Sequence, residues 1–200
     1  KLARYELLSI ISKENSLVCG SETGWDYFVP VCDYFEGMLS LGPYRCDDSG
    51  RNMEKIVENP PEQITKFQVN EYYRLPLWEL VYHDCCVAMW YWGDYNNKMP
   101  SVWKKRDLFN ALYAVPPMYM FTLTSLGRNI DAFAQSYKIS SDIVKATAGI
   151  AMTNHEYLTQ DRTVQKTTFA NGIEVIVNFG KKDFVYQNKT IPAKTAKMNF

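Results

Sequence analysis

Residues 16–25 organise this chain, and they read Ser-Leu-Val-Cys-Gly-Ser-Glu-Thr-Gly-Trp. Residues 17–19 are apolar, and a run this short suits a strand that is buried on both faces, as in a parallel sheet. Gly20 and Gly24 flank Glu22, and glycines at the end of a strand let the backbone turn sharply and let a ligand come close. The stretch therefore predicts a buried strand that ends at a carboxylate.

Glu22 is the first candidate for chemistry in this sequence. In barrels of alternating strands and helices, catalytic groups lie at the C-terminal ends of the strands. A carboxylate in that position, close to an indole such as Trp25 that can stack on a sugar, is typical of the acid/base residue of a glycosidase. An alternative stays open, in which Glu22 is a loop residue that caps the next element.

The composition of the chain bears on which kinds of molecule it binds. The 200 residues include 22 basic and 22 acidic side chains, so the formal net charge is zero and neither a nucleic acid nor an acidic membrane is indicated as a partner. No apolar run approaches the roughly 20 residues that span a bilayer. The 14 Tyr, 10 Phe and 5 Trp residues suit a large core or a sugar site, which needs ring faces and polar groups together.

The cysteine and histidine residues give no metal pattern. The chain has cysteines at positions 19, 32, 46, 85 and 86, without Cys-x-x-Cys spacing, and we expect free thiols. His83 and His155 do not lie at ligand spacing from a cysteine, so zinc is not expected. Acidic residues between positions 26 and 48 leave a surface calcium ion open, although no EF-hand pattern supports one.

Helical and strand-like segments alternate over the first part of the chain. The succession of helix, short loop and strand is typical of an α/β barrel. Apolar spacing and capping residues define the helices, and short apolar runs define the strands. The predicted helices are residues 2–12, 104–114 and 140–152, and Ser140 or Ser141 caps the last of them. The predicted strands are residues 75–82 and 118–123, and the first of these ends near His83 and Asp84. Residues 85–92 are predicted to form a further aromatic, strand-like segment.

Residues 24–62 do not follow this alternation of helices and strands. They mix Gly, Pro, Asp and aromatic residues with little periodicity, which predicts a loop far longer than an ordinary β–α connection. Loops of this length are more often functional than idle. Within it, Asp33 and Glu36 are interpreted as loop or sugar-subsite residues rather than as catalysts.

The pattern changes near residue 159. Residues 163–169 and 173–179 both alternate, and Asn171-Gly172 between them is a strong hairpin signal. Residues 184–186 and 189–191 predict a further pair of strands, joined by Gln187-Asn188. We therefore expect two domains, residues 1–160 and residues 161–200, the second an antiparallel segment like part of a β-sandwich.

Several of these stretches, in this order, resemble glycoside hydrolase family 129 and its relative family 101, which are families of α-N-acetylgalactosaminidases. The resemblance covers nearly the whole chain and rests on the order of the stretches, because no single motif is diagnostic. The resembling stretches are Gly-Ser-Glu at 20–22 with Trp25, Asp-Tyr-Phe-Glu-Gly at 33–37, Leu-Pro-Leu-Trp-Glu-Leu-Val-Tyr-His-Asp at 75–84, Trp-Tyr-Trp-Gly-Asp at 90–94, and the passage from 158 to 179.

This resemblance implies a fold and an activity. It implies a (β/α)8 TIM-type barrel, of which residues 1–160 are the C-terminal half, followed by the start of an all-β domain at 161–200. It also implies a retaining glycosidase that removes α-linked N-acetylgalactosamine from glycans or glycoproteins, such as mucin O-glycans. The location implied is secreted, periplasmic or on the surface of a bacterium.

The resemblance also implies roles for particular residues. Glu22 matches the acid/base, and the nucleophile belongs to a strand upstream of this chain, so we expect the chain alone to be inactive. Retention needs the two carboxyl groups to lie about 5–5.5 Å apart. The predicted sugar-binding residues are Trp25, Asp84, Trp92 and Asp94.

Other interpretations of the same residues stay open. Asp94 suits a cap for a Gly-Asp turn as well as a sugar contact, Trp92 suits the core, and His83 suits a hydrogen-bonded core residue. For the whole chain, the alternative to an enzyme is a non-catalytic carbohydrate-binding protein derived from a glycosidase barrel. A third interpretation is a structural α/β segment whose aromatic residues only form its core.

Overall fold

The computed structural model describes residues 2–38, 62, 64–90, 100–119 and 121–199. Its N-terminal part alternates helices with parallel strands, and its C-terminal part is antiparallel. The helices are α1 (Leu2–Ser9), α2 (Leu77–Tyr82), α3 (Pro100–Tyr113) and α4 (Leu123–Thr147), with a 3₁₀ helix at Asp26–Val31 and π-helical turns at Ile10–Glu14 and Ile64–Gln68. The strands are β1 (Gly20–Glu22), β2 (Tyr34–Met38), β3 (Val87–Trp90), β4 (Met152–Tyr157), β5 (Val164–Phe169), β6 (Glu174–Asn178), β7 (Phe184–Tyr186), β8 (Lys189–Ile191) and β9 (Thr195–Asn199).

A small parallel sheet of β1, β2 and β3, in that order, carries the N-terminal part of the described chain. One face of this sheet packs into the core through Phe35, Ala88 and Trp90, which are buried. The other face carries Tyr34 and Val87, which pair with each other in the register and are exposed. The sheet is therefore covered on one side by the described residues and open on the other.

The strand predicted to end at Glu22 is confirmed at that end, because β1 ends at Glu22, but its predicted start in residues 17–19 is wrong. Leu17 and Val18 are 57% and 76% exposed and lie outside any strand, and β1 begins at Gly20. The backbone of Cys19 is held instead by Asp33, whose carboxylate accepts a hydrogen bond from Cys19 N–H at 2.7 Å. This side-chain contact anchors the start of β1 beside β2, and the strand pairing begins one residue later.

The strand predicted at residues 75–82 is also wrong, because residues 77–82 form helix α2. Pro76 stands directly before the helix, a position where its missing N–H costs nothing. A continuous apolar run does not by itself distinguish a strand from a short helix. The helix turns Glu79 into the core, where its carboxylate accepts a hydrogen bond from the indole N–H of Trp90 at 2.7 Å.

Helix α4 is much longer than the segment predicted at 140–152. It contains 25 residues, Leu123–Thr147, with a kink at Asn129, so it ends before the predicted 148–152, and Met152 already belongs to β4. The strand predicted at 118–123 is wrong for its described residues, since 118, 119, 121 and 122 lie in no strand and Leu123 begins the helix. Its N-terminus is a capping box, in which Thr122 Oγ1 accepts from Ser125 N–H and Ser125 Oγ accepts from Thr122 N–H. Ser140, predicted as a cap, lies inside the helix and donates to the carbonyl of Ser136.

The other predicted elements are confirmed. Helix α3 covers the predicted 104–114 except for its last residue, and β3 lies within 85–92. Strands β5 and β6 form the predicted hairpin around Asn171-Gly172, where Gly172 has a positive φ of 86°. Gln187 and Asn188 both have positive φ, as the tight turn between β7 and β8 requires.

The larger antiparallel sheet of the described residues has the order β4-β5-β6-β9, and β7 and β8 form a separate two-stranded sheet. Strand β4 pairs with β5, so this sheet includes residues on both sides of position 160. Part of the long loop predicted at 24–62 is also regular, since the 3₁₀ helix and β2 both lie within it.

Helix α3 lies between the two sheets and joins their cores. Phe109 and Tyr113 on this helix are fully buried in the same apolar cluster as Phe35 of the parallel sheet and Phe169 and Val177 of the antiparallel sheet. Hydrogen bonding adds to this contact, because the hydroxyl of Thr167 in β5 donates to the carbonyl of Leu112 at 2.8 Å. None of the helices in the described ranges is long and apolar enough to cross a membrane.

Candidate functional site

Two carboxylates lie side by side at the C-terminal edge of the parallel sheet. Glu22 is the last residue of β1, and it pairs in the register with Glu36 of β2. Paired residues on neighbouring parallel strands point to the same face, and such strands lie about 4.8 Å apart. Both glutamates are exposed, so their carboxylates face the same open space.

The chain turns sharply after Glu22 and stays attached to β2. The N–H of Thr23 donates to the carbonyl of Glu36 at 2.9 Å, and Thr23 has a left-handed φ of 69°. Gly24 follows, and a side chain there has no room, because an added Cβ would lie 2.3 Å from the sulfur of Met38. These contacts hold Glu22 at the edge of the sheet rather than on a free loop.

A tyrosine ring lies against β1, two residues before Glu22 in the strand. The ring of Tyr34 lies directly against Gly20, where an added Cβ would be 2.1 Å from the ring. Tyr34 remains 36% exposed, and it lies on the same face as Glu36, two residues along β2. A partly exposed aromatic ring therefore lies beside the two carboxylates.

Trp25 stands three residues after Glu22, at the start of the 3₁₀ helix. Its side chain is 49% exposed, and its ring centroid lies 6.0 Å from that of Tyr27. A half-exposed indole of this kind is free to pack against a ligand on one face. Trp25 therefore lies near Glu22 in the sequence, and the ring contact that the structure gives it is with Tyr27.

Asp84 lies elsewhere on the sheet. It belongs to the turn that precedes β3, and it is exposed, with its Oδ1 accepting from the thiol of Cys85 at 3.5 Å. Because β3 runs parallel to β1, a residue before β3 lies at the N-terminal edge, opposite the end that carries Glu22. The structure therefore does not bring Asp84 and Glu22 together.

His83 and Trp90 are core residues, as the plainer interpretation predicted for the histidine. The Nδ1 and Nε2 atoms of His83 lie 2.8 Å and 3.1 Å from the carbonyl oxygens of Ile150 and Ala114. The ring also contacts Phe169 edge-on. His83 therefore connects the end of α2 to the segments that follow α3 and α4.

Two predicted sugar-binding residues, Trp92 and Asp94, lie outside the described residues. The same is true of Asp47 and Asp48 in the acidic segment that left calcium open. In the ranges that the structure describes, no three His, Cys, Asp or Glu side chains come together in a way that could hold a metal ion. Cys19, Cys32, Cys85 and Cys86 are free thiols.

Glu79 is a buried carboxyl on the core side of α2. It is 1% exposed, and burial raises the pKa of its carboxyl to about 7, although the Trp90 indole and the Arg74 guanidinium oppose that rise. Arg74 lies over the rings of Trp90 and Tyr113. A cavity of about 190 Å³ lies beside Glu79 and His83, on the core side of the sheet.

A second group of polar side chains lies between α3 and α4. Tyr119 donates to Ser136 Oγ at 2.6 Å, and Ser136 donates to the carboxylate of Asp107. Burial raises the pKa of Asp107 to about 6. These residues border a cavity of about 250 Å³ together with the stacked rings of Trp103 and Phe133.

The sequence of this chain matches the model of a known protein family. The model of the family described as glycosyl hydrolases related to family GH101, GH129, matches residues 41–168, well over half of the chain. No curated protein matches the sequence.

Solved structures are similar in fold. The α-N-acetylgalactosaminidase NagBb from Bifidobacterium bifidum, in a GalNAc complex, matches with a TM-score of 0.57 and 19% identity over 98% of this chain and 26% of that one. A quadruple mutant of NagBb matches with a TM-score of 0.56 and 18% identity over 96% of this chain and 26% of its own. This chain therefore spans about a quarter of the length of these structures, and at such identity the likeness concerns the fold alone.

Proposed function

The chain belongs to glycoside hydrolase family 129, the glycosyl hydrolases related to family 101, and from this premise we propose that it is part of a retaining glycosidase. The proposed substrate is α-linked N-acetylgalactosamine in a glycan or glycoprotein, and the proposed acid/base is Glu22. The observation that carries the proposal is the position of Glu22, exposed at the C-terminal edge of a parallel sheet. This is the edge at which barrel enzymes hold their catalytic groups.

The proposed fold of the whole catalytic domain is a (β/α)8 barrel. Parallel sheets are almost always covered on both faces, whereas the face that carries Tyr34 and Val87 is open in the described residues. Further strands of a barrel would close that face and place Glu22 toward the barrel interior. The division into a barrel part at 1–160 and a β domain from 161 stays a prediction, and β4 pairs with β5 across that position.

The proposed mechanism has two steps that share one acid/base residue. In the first, the protonated carboxyl of Glu22 donates its proton to the glycosidic oxygen as the bond to the anomeric carbon breaks. A carboxylate on the preceding strand, upstream of this chain, attacks that carbon and forms the glycosyl-enzyme bond. In the second, Glu22 removes a proton from water, which attacks the anomeric carbon and releases the sugar with its configuration retained.

Trp25 is proposed to pack against the sugar, since its indole is half exposed and follows Glu22 by three residues in the chain. Trp92 and Asp94 stay predictions, because they lie outside the described residues. Asp84 also stays a prediction, and its position at the opposite edge of the sheet does not support contact with a sugar held at Glu22.

The test replaces Glu22 with Gln in the full-length gene product that contains this chain. With p-nitrophenyl α-N-acetylgalactosaminide and a core-1 disaccharide analogue as substrates, we expect kcat/KM to fall by about 10²- to 10⁴-fold, the usual contribution of general acid–base catalysis. The loss should be largest for the disaccharide, whose leaving group needs a proton, and azide should restore part of the activity.

A matched control is Glu14→Gln, because Glu14 is an exposed carboxylate in a π-helical turn, away from the edge of the sheet. It should retain wild-type kinetics. Activity of Glu22→Gln equal to that of the wild type would contradict the assignment of Glu22. Binding of α-galactosaminides by the wild type without any turnover would instead favour a non-catalytic carbohydrate-binding protein.

A further inference from the structure

We propose that Glu36 is a substrate-binding residue, whose carboxylate accepts hydrogen bonds from hydroxyl groups of the sugar that is cleaved beside Glu22. This inference rests on the proposed function of the same site. It gives a specific role to a residue that the sequence pattern left as either a loop residue or a sugar-subsite residue.

The first support is the register of the parallel strands. Glu36 pairs with Glu22, and Tyr34 pairs with Gly20, so these four positions form two adjacent layers on one face of the sheet. Neighbouring parallel strands lie about 4.8 Å apart. A sugar ring that reaches the carboxyl of Glu22 with its glycosidic oxygen is therefore within reach of the carboxylate of Glu36.

The second support is that the backbone carbonyl of Glu36 and its side-chain carboxylate make different contacts. Its carbonyl accepts from Thr23 N–H at 2.9 Å and so fixes the chain directly after Glu22. Its carboxylate is exposed and has no hydrogen-bond or ion-pair partner in the part of the chain that the structure describes. The backbone of Glu36 is committed to the fold, and its side chain is available to a ligand.

The third support is the surface beneath the pair. The absence of a side chain at Gly20 lets the far end of the Tyr34 ring come against β1, and this ring remains partly exposed two residues before Glu36 on the same face. Sugars present apolar ring faces together with hydroxyl groups. An aromatic ring and a free carboxylate on the same face match both features.

The chemistry favours binding rather than proton transfer for Glu36. A carboxylate accepts from two hydroxyl groups at once, and hydrogen bonds to a charged acceptor are roughly twice as strong as neutral ones. No bond of the sugar needs to form or break at Glu36. Its removal should therefore weaken the affinity for the sugar more than the rate of the chemical step.

The experiment measures sugar affinity separately from turnover. In the full-length protein, Glu36→Gln removes the charge and keeps the size of the side chain. The dissociation constant of free N-acetylgalactosamine, measured by calorimetry, should rise by about tenfold, as expected for the loss of one charge-assisted contact. KM for the p-nitrophenyl substrate should rise by a similar factor, with kcat within about threefold of the wild type.

Glu36→Asp and Glu14→Gln are the two comparison variants for this measurement. The aspartate keeps the charge on a shorter side chain and should weaken binding less than the glutamine does, while Glu14→Gln should bind as the wild type does. A dissociation constant for Glu36→Gln within twofold of the wild type overturns the proposal. So does a loss of affinity that Glu14→Gln reproduces.

The outcome is distinguishable from a failure of the proposed function. Repeating the Glu36→Gln titration in the Glu22→Gln background needs no turnover, so it is informative whichever role Glu22 has. Full activity of Glu22→Gln would contradict the acid/base assignment and leave the measurement on Glu36 intact. If wild-type protein did not bind N-acetylgalactosamine at all, the proposal for Glu36 would be overturned.

Discussion

At the scale of single residues, Glu79 shows how one buried carboxyl makes the stability of a fold depend on pH. Its carboxylate accepts a hydrogen bond from Trp90, but no other partner reaches its second oxygen among the described residues. Burial therefore disfavours the charged form and raises the pKa to about 7 from an ordinary value of 4.5.

The pH dependence follows from this rise in pKa. Between pH 4.5 and about 7 the folded protein keeps a proton on Glu79 that the unfolded chain has released. The free energy of unfolding therefore decreases as the pH rises through this window. Glu79→Gln keeps the acceptor for the Trp90 indole and cannot ionise, so it should remove this part of the decrease.

Urea unfolding of the wild type and Glu79→Gln at pH 5 and pH 8 tests this prediction. The difference in stability between the two proteins should change by about 3 kcal/mol between these pH values, in favour of the variant at pH 8. Asp107, whose pKa is also raised, is present in both proteins and cancels in the comparison. Stability curves that run parallel with pH would contradict the role assigned to Glu79.

At the scale of elements, the pairing of β1 with β2 depends on a glycine. Gly20 lies under the Tyr34 ring, and a Cβ there would meet this ring at 2.1 Å. The ring must move or the strands must separate if a side chain is added. The pairing also sets Glu22 beside Glu36, so the candidate site and the strand contact share this glycine.

Gly20→Ala should lower the free energy of unfolding by no more than about 1 kcal/mol, because the added Cβ meets the far end of a partly exposed tyrosine ring that can move toward solvent. It should also weaken sugar binding, because Tyr34 and the two glutamates would shift. Thermal unfolding and calorimetric titration with N-acetylgalactosamine measure the two effects.

Gly127→Ala is the control for this substitution. Gly127 lies in α4, and an added Cβ there meets no atom within 4 Å. Alanine is favoured over glycine in a helix by up to about 1 kcal/mol, so this variant should be as stable as the wild type or more stable. A Gly20→Ala protein that behaves like Gly127→Ala would show that Tyr34 does not need the space.

At the scale of the whole molecule, helix α3 couples the parallel sheet to the antiparallel one. Its buried residues lie in one apolar cluster with residues of both sheets. The hydroxyl of Thr167 adds a directional contact, since it is fully buried and donates to the carbonyl of Leu112 near the end of α3. The position of the sheet that carries Glu22 thus depends on the packing of the C-terminal strands.

Thr167→Val tests this coupling, because it replaces the hydroxyl by a methyl group of similar size. The Leu112 carbonyl would lose its donor, which should cost about 1–3 kcal/mol of stability. Thr168→Val, at the adjacent and less buried position of β5, should cost less. Equal thermal stabilities of the two variants would contradict a specific role for the Thr167 hydroxyl.

Elements whose signal is local could be predicted from the sequence. The hairpin of β5 and β6 needs the left-handed conformation that Gly172 supplies, and the turn at Gln187-Asn188 works in the same way. Helix α3 has an apolar face that packs in the core, and its spacing is visible in the sequence. The order of short motifs also indicated family 129, which the family match confirms.

The tertiary structure alone decided which of the apolar runs became strands and what they lie beside. Residues 77–82 are helical and residues 17–19 are not a strand, because burial and hydrogen bonds to distant residues, such as Trp90 and Asp33, outweigh local preference. The register that sets Glu36 beside Glu22 arises from backbone hydrogen bonds between strands that are joined by no tight turn. The sequence by itself therefore determined the family, and it proposed Glu22 as the acid/base. Only the folded chain determined that Glu36 lies beside Glu22, since parallel pairing is a contact between distant segments.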